Sequence, residues 1–326
     1  MNKSSKSSAW HYTPDLPVSD APYFQSSIKF RDQLTYLFKA WKPTGLRFNL
    51  LILAVLIWTF FTPDISRAEN FDLHWISEIF LRNLVLVILV AGGLHLFLFT
   101  FNKQADEYRY DRRPLSKNSK LFHFNNQVWD NMFWTLCSSV PIGTLWESLM
   151  LWGYANGIAP FITLESNPVW FLFLILLIPL WSGLHFYIFH RLLHFPFLYK
   201  TIHYWHHKNI RTGPWSGHAM HPVEHLGLYS DLAIYFVVPS HPIHVIFNAM
   251  LHTVGGPTSH CGYDKVMLGK KIGLELGDFF HQLHHRYVDC NYGTYDTQWD
   301  RIFGSLHDGT EAGMKRIESK RAGNES

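Results

Sequence analysis

The chain is short of charge. Aspartate, glutamate, lysine and arginine make up 16% of its 326 residues, against about 25% in an ordinary soluble domain. Net charge is +3 with histidines neutral, and lysine and arginine form no block, which argues against a binder of nucleic acid. Cysteine is scarce too. Cys137, Cys261 and Cys290 are scattered and form no CxxC pair, so neither a disulfide framework nor a thiolate metal site is indicated. The sequence has no CxxCH haem-attachment motif, no GxGxxG dinucleotide fingerprint and no cysteine set for an iron–sulfur cluster. Residues 1–40 lack the short apolar core of a secretory signal, so membrane insertion is expected from internal segments.

Aromatics, in contrast, are 17% of the chain, with 13 Trp, and there are 21 His. Low charge with many aromatics points to a membrane protein with wide interfacial belts. A mean hydropathy near zero points to an apolar part diluted by a polar domain of similar size. Four stretches approach the about 20 residues that a spanning helix needs: 46–61, 84–101, 132–152 and 169–189. The first is short, the third holds Pro141 and Glu147, and the fourth is strong despite Pro179. Basic residues alternate between the loops. Lys29, Arg31, Lys39 and Lys42 precede the first span, and Arg67 and Arg82 follow it. Six basic residues lie between Lys103 and Lys120, none between 153 and 168, and Arg191, Lys200, Lys208 and Arg211 follow the fourth span. By the positive-inside rule both termini and everything after Phe189 face the cytoplasm.

A further apolar stretch, 226–251, is broken by Pro239 and Pro242. A single crossing there would separate the later histidines from the earlier ones, so it reads as a re-entrant or interfacial helical hairpin. The expected architecture is an all-α integral membrane protein with about four transmembrane helices. A cytoplasmic N-terminal segment, 1–45, leads into a transmembrane region, 46–189. A cytoplasmic histidine-rich di-metal region, 190–310, and a polar tail, 311–326, follow.

The arrangement of the histidines says more than their number. His190 and His194 are four apart in HRLLH. HYWHH holds His203, His206 and His207, and HQLHH holds His281, His284 and His285. Spacings of three and four place side chains on one helical face. A lone histidine in an apolar segment is usually a hydrogen-bonded core residue, which is how His95 and His185 read. Three blocks on one side of a membrane need something to organise them, because clustered buried imidazoles are costly. Neutral imidazole is a common transition-metal ligand.

A structural zinc site uses about four ligands and a catalytic one about three, so eight histidines argue for two metals. An imidazole-only set lacks the oxygen shell of magnesium or calcium, and iron, zinc and copper stay open. No box contains the glutamate of HExxH, which counts against a zinc-dependent membrane hydrolase. The clusters follow the last clear span instead of lying at mid-bilayer, which counts against a metal-binding or transport protein.

These boxes resemble the three histidine boxes of the fatty acid hydroxylase and sterol desaturase superfamily. GHAMHPVEH (217–225) resembles its His-Pro segment, PTSHCGYD (257–264) its late His-Gly segment, and NYGTYDTQWDRIFGS (291–305) its closing motif. The similarity runs in order over 181–305. The sterol C5-desaturase (lathosterol oxidase-like) branch looks nearest. The resemblance implies a non-haem centre of two iron ions that uses O2 and two electrons to hydroxylate or desaturate a lipid C–H bond. A sterol is the implied substrate, with fatty acyl, sphingoid or other lipid hydroxylation as the alternative.

The resemblance carries His190, His194, His203, His206, His207, His281, His284 and His285 as ligands, joined by His221 and His260. It places His218, Glu224, His225, Asp264 and Asp300 as hydrogen-bonding neighbours of those ligands. Asp264, four residues after His260, is expected to share its helical face. His241, His244 and His252 read as structural. Trp170, Trp181, Phe186 and Tyr187 are expected to line a sideways route for lipid. The implied partners are a membrane lipid, O2 and a separate electron carrier, cytochrome b5 or a ferredoxin-type protein with its reductase. The RAGNES ending lacks a dilysine retrieval signal, which favours a bacterial inner membrane over the endoplasmic reticulum.

Overall fold

Apolar runs and the polar residues that cap them set the long helices. The computed structural model describes residues 10–18, 29–269, 272–297 and 299–324; the expectations for 1–9, 19–28 and 325–326 lie outside them. α1 (Phe30–Ala40) and α2 (Leu46–Phe61) are joined by a short turn that ends at Gly45. α3 (Leu73–Thr100) begins where the Asp72 carboxylate accepts from His74 N–H at 2.8 Å. Its 28 residues span about 42 Å. α4 (127–155) is capped by Asn126, which accepts from Val128 and Trp129 N–H, and loosens into a π turn at Thr135–Ser139. α5 (Pro168–Leu193) starts with proline in the first turn, where its missing N–H costs nothing, and Asn167 caps it.

α3 and α5 are long and apolar enough to cross a bilayer, whereas α2 is shorter. The second expected span starts earlier than its apolar run suggests, at Leu73. The third expected span lies within α4 but carries a polar load. Buried Glu147 pairs with Arg82 of α3, and Asn83 reaches Thr144 and Glu147 at 3.2 and 3.3 Å. Ile52, Leu56, Val85, Leu89, Leu172 and Phe173 are exposed along α2, α3 and α5. With these apolar surfaces, α3 and α5 have the length and composition to cross a membrane.

The stretch 226–251 folds as short helical arms, and the second arm is buried. α6 (Tyr204–His207) precedes it. α7 (Pro222–Leu228) and a 3-10 segment, Tyr229–Phe236, turn through Pro239 into α8 (Pro242–Thr253). Val245, Ile246, Phe247 and Met250 of α8 pack with Leu50, Ala54 and Ile57 of α2, Met150 of α4, and Leu174 and Ile178 of α5. α8 thus lies inside the helical core. α9 (Gly255–Ser259) and α10 (Phe279–Tyr287) carry the later histidines.

One departure from the expected all-α layout is local. β1 (Lys265–Leu268) and β2 (Ile272–Glu275) form an antiparallel hairpin, with Lys265 opposite Glu275. The polar tail is helical, as α11 (Glu311–Asn324).

Candidate metal centre

The three boxes converge. His190 lies in the last turn of α5 and His194 caps it. A π turn, Tyr199–His203, then delivers His203, and α6 carries His206 and His207. α10 supplies His281, His284 and His285, and the Asp278 carboxylate starts it by accepting from His281 N–H at 3.1 Å. His260 enters from the end of α9.

The nitrogens form two sets, each with its ligand atoms within 4.8 Å of one another: His190, His194, His203, His207 and His284, and His206, His260, His281 and His285. The sets face each other, with ring centroids of His207 and His285 5.1 Å apart and of His281 and His284 5.3 Å apart. The second and third boxes each divide between the sets. In both, the pair four residues apart goes to one set and the remaining histidine to the other.

These residues fit two metal ions. In the first set, Nε2 of His203 lies 2.9 Å from that of His190 and 3.0 Å from that of His207, which is 3.0 Å from His284 Nε2. In the second, His260 Nε2 lies 3.2, 3.0 and 3.1 Å from Nε2 of His206, His285 and His281. Two nitrogens at right angles around one ion, on bonds of about 2.1 Å, sit about 3.0 Å apart. His194 Nε2 is buried with no hydrogen-bond partner among the described residues.

The far sides of several rings are tied down. His190 Nδ1 donates to Tyr292 O at 2.6 Å, His284 Nδ1 to Cys290 O at 2.6 Å, and His260 Nδ1 to Gly256 O at 2.9 Å. His203 Nδ1 donates to Glu224 Oε1 at 2.8 Å. Such contacts fix the tautomer that leaves Nε2 for a metal. Burial, then the neighbouring imidazoles, push His203, His207, His281 and His285 well below the ordinary histidine range. Burial likewise pushes His260 down to about 3. The imidazoles are therefore neutral, which is the metal-binding form.

His221, expected as a ligand, is not brought into either set. It is partly exposed, its Nδ1 accepts from Val223 N–H at 3.2 Å at the start of α7, and its ring packs on Trp205 at 4.7 Å. Asp264 shares no helix with His260, because α9 ends at Ser259 and Gly262 has φ +80. Its carboxylate accepts from Tyr110 and Tyr12 hydroxyls at 3.1 and 3.3 Å. His218 and His225 sit in a neighbouring buried layer, beside Ser139 Oγ at 3.1 Å and Ser138 Oγ at 2.9 Å respectively.

Glu224 touches a box histidine, His203. Asp300 acts one step further away. It accepts from Tyr292 N–H at 2.8 Å and Gly293 N–H at 2.7 Å, fixing the segment whose carbonyl takes His190 Nδ1. The carbonyls of Tyr292, Cys290 and Gly256 were missed, since a backbone acceptor leaves no side-chain signature.

A cavity of about 350 Å³ is lined by His190, His203, His206, His260 and His281. Pro179, Gly183, Phe186, Leu228 and Leu251 wall it. Of the expected aromatic route only Phe186 lines it. Trp170 and Trp181 instead donate to Pro239 O and Asp231 O, and Tyr187 stacks on Phe303. At the mouth, Lys42 pairs with Glu275 at 2.7 Å and Arg47 with Asp296.

A spanning-length helix, α5, that delivers His190 and His194 to one of two facing sets of imidazoles defines a protein of the histidine-box class. Residues 171–305 match the fatty acid hydroxylase family. The Delta(7)-sterol 5(6)-desaturase of Eremothecium gossypii is 30% identical over 250 residues, 74% of this chain and 64% of that protein. That of Candida glabrata is 34% identical over 119 residues, 36% of this chain and 32% of that protein. Lathosterol oxidase of Mus musculus is 30% identical over 269 residues, 78% of this chain and 84% of that protein. The match thus spans less than two thirds of the two fungal relatives. No solved structure matches the chain. The chain belongs to the fatty acid hydroxylase family.

Proposed function

We propose that the chain is a membrane-bound non-haem di-iron oxygenase that desaturates a sterol of the Δ7 type. The observation that carries this is nine convergent imidazoles in two facing sets, five of which line a largely apolar cavity. The relatives' names supply the substrate class. Overall, the lipid loses two hydrogens, and O2 takes up those two together with two electrons and two protons to give two waters. Iron, when bound, supplies a metal–dioxygen chemistry able to break a C–H bond that no side-chain base can deprotonate.

The chain's own residues have three tasks. His190, His194, His203, His207 and His284 would hold one ion, and His206, His260, His281 and His285 the other. Glu224 and the carbonyls of Tyr292, Cys290 and Gly256 keep the ring nitrogens pointed inward. Pro179, Phe186, Leu228 and Leu251 exclude water and seat the hydrocarbon. Electrons come from a separate carrier of cytochrome b5 or ferredoxin type with its reductase. Four spans, with the centre on the cytoplasmic side, follow from the alternation of basic loops.

The test is iron content and O2-dependent oxidation in detergent-purified protein reconstituted anaerobically, wild type beside His284→Ala. About two irons per wild-type chain, with a Δ7-sterol converted to the 5(6)-ene and both lost in the variant, is the expected result. An alcohol product instead makes it a hydroxylase with the same centre. One tightly held zinc, with iron giving no O2 consumption, overturns the proposal.

A further inference from the structure

The cavity holds a second polar group that the metal centre does not use. His252 Nε2 lies 2.7 Å from Asp231 Oδ2 and 3.4 Å from Ser182 Oγ. His252 and Asp231 are buried, at 7% and 0% exposure. Ser182 and His252 both line the cavity, with Asp231 behind them. Around them α8 is apolar core, with Val245, Ile246, Phe247 and Met250. A buried carboxylate in such surroundings is costly, and within the membrane part of a protein it is a functional candidate. From sequence, His252 reads as structural; its place on the cavity wall gives it more to do.

The chemistry of the group is specific. A carboxylate that accepts from Nε2–H holds the imidazole in the tautomer whose Nδ1 is an acceptor. The Ser182 hydroxyl both donates and accepts. Together they suit a neutral alcohol, which also does both. A carboxylate or phosphate headgroup would meet the Asp231 charge. The lysine and arginine lining the cavity, Lys39, Lys42 and Arg47, come from α1, the turn after it and α2, and Lys42 and Arg47 are paired with Glu275 and Asp296.

We infer that Ser182, His252 and Asp231 bind the hydroxyl of a neutral lipid alcohol and thereby set which of its carbons reaches the metal centre. The inference rests on the lipid-oxygenase reading and deepens it. Ser182 precedes His190 by eight residues on α5, about 12 Å along the helix axis. Ser182 and His252 line the same cavity as His190 and His203, so a hydroxyl anchored there fixes how far along the lipid the metal centre lies.

The experiment compares a Δ7-sterol with its 3-O-methyl ether on the iron-reconstituted full chain, by equilibrium binding of radiolabelled lipid and by KM and kcat. Wild type should bind the alcohol at least about tenfold more tightly than the ether, the range of one buried hydrogen bond. His252→Phe should weaken the alcohol by that factor and bring the two lipids within about twofold, with iron content unchanged. His252→Gln, which keeps an acceptor, should recover part of the preference, and Ser182→Ala should lose part of it even if His252→Phe does not fold. A wild type that binds both lipids equally, or variants that weaken both equally, would make the pair purely structural and overturn the inference. Binding decides this even if wild type turns over neither lipid, an outcome that would count against the oxygenase reading instead.

Discussion

Glu224 Oε1 lies 2.8 Å from Nδ1 of His203, and both groups are closed off from solvent. The carboxylate holds the proton on Nδ1, leaving Nε2 for the ion. Glu224→Ala should lower affinity for the ion of that set by about 10–100-fold, with Glu224→Gln intermediate. Competition with a chelator of known affinity measures it. Unchanged affinity in both variants would remove Glu224 from the support of the site.

His221→Ala should keep the full metal complement, because His221 faces Trp205 and the start of α7 and not the ligand sets. Its cost is that of a helix cap, about 1 kcal/mol. His260→Ala should lose metal, since its Nε2 adjoins those of His206, His281 and His285. Metal analysis of the two variants side by side separates a sequence expectation from the geometry.

Asp300 is 1% exposed and accepts two backbone N–H groups as well as the Ser305 hydroxyl. Asp300→Ala leaves those donors unpaired, at about 1–3 kcal/mol each. The Tyr292 carbonyl that takes His190 Nδ1 would be released with them. A lower Tm together with weaker metal binding is expected. A lower Tm alone would confine Asp300 to the loop.

Glu147→Ala would strand Arg82 between α3 and α4. Breaking one side of a buried pair costs about 3–5 kcal/mol, which should appear as a lower unfolding midpoint in mixed detergent. Replacing both partners, Arg82→Met with Glu147→Leu, should restore most of that loss. A midpoint unmoved by Glu147→Ala would mean that the pair is solvated.

The clustering of the box histidines was legible because helical periodicity is written into residue spacing: HRLLH, HYWHH and HQLHH each place imidazoles where one turn of helix gathers them. Their division between two sets was not, because it depends on how α6 and α10 face each other. His221 and Asp264 were misplaced for local reasons. The first starts a helix that turns away, and the second follows Gly262, whose positive φ ends any shared face. The early start of α3 was hidden by Glu78, Arg82 and Asn83, which interrupt its apolar run. His252 looked structural because its partner Asp231 lies 21 residues away.

Because α6 and α10 each lend imidazoles to both sets, neither ion can be seated without ordering the walls of the other. Occupancy should therefore rise as a single cooperative event, with half-filled protein a minor species. A chain starved of metal would divide into complete and empty molecules.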